Sequence, residues 1–111
     1  MTTQEVATMI ASIGLDYAYY EFPDDTAHEP PFVCFLFTDN NDMQADNINY
    51  TDQRTLVVEL YTRQKDFDLE ADVRDVLNAN ELPFRQASDF LTDEHLYITT
   101  FTTEVILTDG E

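Results

Sequence analysis

Apolar residues follow two different rhythms along this chain. Val6, Met9, Ile10 and Ile13 recur at i, i+3, i+4 and i+7, with Thr2 and Glu5 in capping-box spacing before them and Gly14 after them. That pattern predicts one short amphipathic helix. The stretch "LDYAYYEF" is Tyr-rich and is closed by Pro23, so it reads as a first strand ending near Phe22. Pro23 to Pro31 then forms an acidic, proline-bearing loop. It delivers the chain to Phe32, Val33, Cys34, Phe35, Leu36 and Phe37, an unbroken apolar run of the kind found in strands buried on both faces.

Residues 38–47 carry no periodic signal and read as a polar loop or hairpin arm. "INYTDQRTLVVELYTR" reads as a long strand, with Asp52 the place where it would break. Leu56, Val58 and Leu60 alternate there with Val57, Glu59 and Tyr61, and Glu59 assigns the second set to the wetter face. A second helix follows: Asp66 or Asp68 caps it, early acids suit the positive end of its dipole, and Leu69, Val73, Val76 and Leu77 form its stripe. It should stop near Asn80, ahead of Pro83. Alternation at Phe84, Gln86, Ser88 and Phe90, a "TDE" turn and a Thr- and aromatic-rich strand ending near Leu107 predict a terminal hairpin.

The elements therefore run α-β-β-β-α-β-β. The expected fold is a single α+β domain over residues 1–111, with a mostly antiparallel sheet of about four to five strands and both helices packed on one face. A sheet covered on one side only must satisfy its other face with a partner.

Charge changes this picture more than size does. The chain of 111 residues holds 23 acidic and five basic residues, a formal charge of −18, so binding to a phosphate backbone is excluded as its role. Residues 1 to 53 contain ten of the acids and neither lysine nor arginine. An ordinary solvated acidic surface accounts for this, and so does a role that repels nucleic acid or attracts a cationic partner. The single Cys34 cannot form an internal disulfide, which suits a reducing compartment, and no apolar run has membrane-spanning length or signal-peptide character.

Candidate chemistry does not survive inspection. Asp39, Asn41, Asp42 and Asp46 are spaced loosely like a calcium loop, but Met43 interrupts them and the required turn glycine is missing. His28, His95 and Cys34 fall on three separate predicted elements without ligand spacing. Cys34 lies inside the most apolar strand and reads as core. Acids this abundant make neighbours such as Asp24 and Asp25 unremarkable, and two glycines exclude a glycine-rich phosphate loop. The expectation is a non-enzymatic protein without cofactor or metal.

"YYEFPDDTAHEPPFVCFLF", "NINYTDQRTLVVELYTRQKDFDLEADVRDVLNANELPF" and "EHLYITTFTTEVIL" together span nearly the whole chain. In this order they resemble the tail terminator, or tail completion, proteins of long-tailed phages and prophages of Gram-positive bacteria. His28 stands where a proline is expected in that family. The resemblance implies an α+β subunit of a homo-oligomeric ring, a hexamer by preference. Such a ring is made in the host cytoplasm and seated at the virion's head-tail junction, between the tail tube and head-completion proteins.

DNA would be only its passing cargo, and no membrane would be involved. On that reading Asp39, Asp42 and Asp46 are candidates for the ring's lumen or interface, though a solvated loop explains them equally well. Arg54, Arg63 and Arg85 are candidates for pairing between subunits. Two alternatives stay open: a head-closure or adaptor protein of the same gene cluster, and an acidic DNA mimic inhibiting a DNA-binding enzyme.

Overall fold

The structure, a computed structural model, describes residues 1–20, 29–40 and 52–108. The element order is α1 (Thr3–Ala11), β1 (Asp16–Tyr19), β2 (Phe32–Asn40), β3 (Asp52–Thr62), α2 (Phe67–Ala79), β4 (Phe84–Leu91) and β5 (Leu96–Leu107). Local chemistry explains most boundaries. The Thr2 hydroxyl accepts the Glu5 N–H at 3.0 Å while the Glu5 carboxylate accepts the Thr2 N–H at 2.8 Å, closing the capping box that starts α1. Gly14, at φ +94°, turns the chain out of it.

Asp66, one of the two expected caps, accepts the Leu69 N–H at 3.1 Å and starts α2. Asn80 ends that helix and folds its side-chain amide back onto the Val76 carbonyl at 2.8 Å.

The five strands form one sheet in the order β1-β2-β3-β5-β4. It is mostly antiparallel, but β1 runs parallel to β2, with Tyr17 beside Val33 and Tyr19 beside Phe35. The connection between those strands spans about a dozen residues, the length at which a chain can return to the same end of a sheet and pair in parallel.

Two strand ends also differ from expectation. β1 stops at Tyr19, and Tyr20 sits at φ +71°, a conformation that ends extended pairing before Phe22. β2 continues through Thr38 to Asn40, three residues beyond the apolar run.

Side-chain alternation divides the sheet into two faces. On one, Val33 and Phe35, Leu56, Val58 and Leu60, and Phe101, Val105 and Leu107 are buried. They form a single cluster with Val6, Met9 and Ile10 of α1 and Val73 and Leu77 of α2, which puts both helices on this side. Each fully buried side chain of this size contributes about 1.5–3 kcal/mol of burial, so the cluster is the fold's main support.

Candidate interaction surface

The opposite face is built by the alternate residues of the same strands. Phe32, Cys34 and Leu36 of β2 pair across with Tyr61, Glu59 and Val57 of β3. Glu59 and Tyr61 are in turn opposite Thr100 and Ile98 of β5, and Val57 opposite Thr102. No described helix covers them. Cys34 is buried by its neighbours, but Phe32, Leu36, Val57, Tyr61 and Ile98 are only partly buried, and Ile106 is 50% exposed. A half-buried, largely uncharged strip therefore crosses the middle of a strongly acidic molecule.

Its carboxylates are tied to their neighbours. Tyr61 stacks on Phe32 with ring centroids 4.8 Å apart, and its hydroxyl donates to Glu59 Oε1 at 3.0 Å. Burial, followed by the charge and hydrogen bond of Glu59, raises the Tyr61 phenol above tyrosine's ordinary range. Glu104 accepts hydrogen bonds from Gln53 Nε2 at 2.9 Å and Thr55 Oγ1 at 3.3 Å. The face thus offers hydrophobic contact with fixed polar groups, the composition of a docking surface.

The residues singled out by sequence are distributed as follows. Of the run from Phe32 to Phe37, Val33, Cys34 and Phe35 are buried, while Phe32, Leu36 and Phe37 keep part of their surface. Burial on both faces is not reached because the helices cover only one. Asp39 contributes backbone to β2, and Asp42 and Asp46 lie outside the described residues.

Arg54 is half-buried on β3. Arg63 meets Glu29 of the same chain at 2.9 Å, with both side chains largely exposed. Arg85 lies exposed on β4 and has no ion-pair partner among the described residues. No three His, Cys, Asp or Glu side chains gather as a metal site among the described residues.

Sequence reading missed a polar network under the helices. Glu70, 3% exposed, accepts from Lys65 Nζ at 2.8 Å, Thr99 Oγ1 at 3.3 Å and Gln86 Nε2 at 3.3 Å. Lys65 also reaches Ser88 at 3.1 Å, and Arg74 reaches Gln86 at 3.2 Å, so the network fastens α2 to β4 and β5. The signal was present: Glu70 lies three residues before Val73 and seven before Leu77, on the helix's buried stripe.

The sheet's two edges are unequal. β1 offers four residues, whereas β4 offers eight, and from Arg85 to Phe90 all are exposed. No model of a known protein family matches the chain, and no curated protein is significantly similar to it.

Proposed function

We propose that the chain is a non-enzymatic subunit of a homo-oligomeric ring at a phage or prophage head-tail junction, of the tail terminator kind. The observation that carries this reading is the uncovered sheet face: a subunit that keeps Phe32, Leu36, Val57 and Ile98 half-exposed has surface to bury against a neighbour. Charge supports it. A ring that passes DNA gains from a net charge of −18, because an anionic lumen repels the duplex and keeps it from adhering.

Sedimentation across protein concentration and salt tests the reading. A hexameric species is expected, strengthened at moderate salt as repulsion between acidic subunits is screened. Thr102→Glu and Ile106→Glu add charge to the open face at side chains that are already partly exposed. They should dissolve the ring while leaving the unfolding temperature nearly unchanged. A species no larger than a dimer under every condition would sink the ring.

One observation favours the DNA-mimic reading. Asp68, Asp72 and Asp75 are exposed at i, i+4 and i+7, a carboxylate stripe along α2. The helix is only about 20 Å long, a short imitation of a DNA backbone. Inhibition of a basic DNA-binding enzyme, relieved by Asp72→Asn and Asp75→Asn, would move the assignment to this reading.

A further inference from the structure

β4 is an unprotected edge. It pairs with β5 in unbroken register from Phe84 to Leu91, and no described strand lies on its outer side. It contains no proline, lysine or bulge, the devices that normally keep such an edge from pairing. One outer contact is local: the Asp89 carboxylate accepts the Phe90 N–H at 2.9 Å.

Geometry limits how two copies of this edge can meet. Antiparallel pairing of identical strands requires a two-fold axis perpendicular to the sheet, which keeps each face on its own side. Phe84, Gln86, Ser88 and Phe90 lie opposite Thr103, Phe101, Thr99 and Tyr97, on the helix side. Arg85, Ala87 and Asp89 lie on the open side, opposite Thr102, Thr100 and Ile98. Only residues on the same side can oppose one another, so the axis must pass through a residue and never between two.

An axis through Ala87 sets Arg85 against the partner's Asp89 and Phe84 against the partner's Phe90, each twice by symmetry. An axis through Ser88 sets Arg85 against leucine and Ala87 against aspartate, and an axis through Gln86 leaves Asp89 unopposed. We infer that two copies of this chain pair through β4 about a two-fold axis at Ala87, joining their sheets into one. Charge complementarity selects both the partner and the register: Arg85, without an ion-pair partner among the described residues, finds one, and Asp89 exchanges the Phe90 N–H for a guanidinium. Seven residues per strand enter the ladder, and the aromatic pairs close its two ends.

This inference stands on the edge and not on the ring. The contact closes at two copies and leaves the open face uncovered, so failure of either proposal leaves the other standing.

Two measurements test it. By sedimentation, Arg85→Glu and Asp89→Arg should each weaken the dimer by roughly tenfold, because every reversal turns two cross-strand attractions into repulsions. The double variant Arg85→Glu/Asp89→Arg should restore it. Both side chains are exposed, so the unfolding temperature should stay constant across the set.

Under mild oxidation Ala87→Cys should form a covalent dimer, because directly opposed Cα atoms lie about 4.5–5.5 Å apart, within disulfide reach. Ser88→Cys should not, and the native Cys34 is buried and silent. The crosslink reads the contact inside a larger assembly as well. No covalent dimer from Ala87→Cys, equal crosslinking from Ser88→Cys, or a charge swap that fails to rescue would each overturn the inference.

Discussion

Removing Lys65 strands a carboxylate whose side chain is 4% exposed, whereas removing Glu70 leaves an ammonium that is one-third exposed and still reaches water. The two substitutions should therefore differ. Lys65→Met is expected to cost about 2–3 kcal/mol, because the buried Glu70 is left with only Thr99 and Gln86 as partners. Glu70→Gln should cost about 1 kcal/mol, since the amide keeps part of the network. Urea unfolding of the two variants checks the asymmetry, and equal losses would place Glu70 in a wetter setting than its burial shows.

Tyr61 supplies a pH signature at the same scale. Its folded state holds the phenolic proton more tightly than the unfolded chain does, through burial and then Glu59. The resulting stabilisation is complete below tyrosine's unfolded value of about 10 and is lost as pH rises above it. Tyr61→Phe should therefore flatten the fall of the urea midpoint above about pH 10. Neither residue's role was legible from composition: Glu59 read correctly as the wet side of a strand, but its pairing with Tyr61 depends on who covers that face.

Helix ends were the most legible features, because capping is settled within a few residues of chain. Thr2 with Glu5, and Asp66 with Leu69, do what their spacing implies. Thr2→Ala should cost about 1 kcal/mol in urea unfolding, since it opens the capping box without touching the core. Strand existence was legible too, from alternation in β3 and β4.

What the pattern did not contain was the direction of β1. Local periodicity fixes which residues share a face and says nothing of which neighbour is parallel. That choice belongs to the connection, whose length permits a return to the same sheet end. The continuous apolar run of β2 misled for a related reason. Six apolar residues imply burial on both sides, but tertiary packing supplied helices on one side alone.

At the scale of the molecule, the expected α+β class and element order match the structure, and the one-sided helix layer creates the candidate surface. The acids had to be located in space before they meant anything. Those on the open face include Glu59 and Glu104, which are held by hydrogen bonds from their neighbours, and Asp89 at the β4 edge.

Cys34 sits in the middle of that face, 4% exposed, with no described helix over it. A single thiol in that place is a built-in clock. A small thiol reagent can reach it only when the strip of side chains around it parts, so the labelling rate measures how often the centre of the sheet breathes. In the free chain that rate should follow local opening and exceed the rate set by global unfolding. Once anything docks on the face the clock should slow, and mass spectrometry, counting one label per chain, would report docking without knowledge of what has docked.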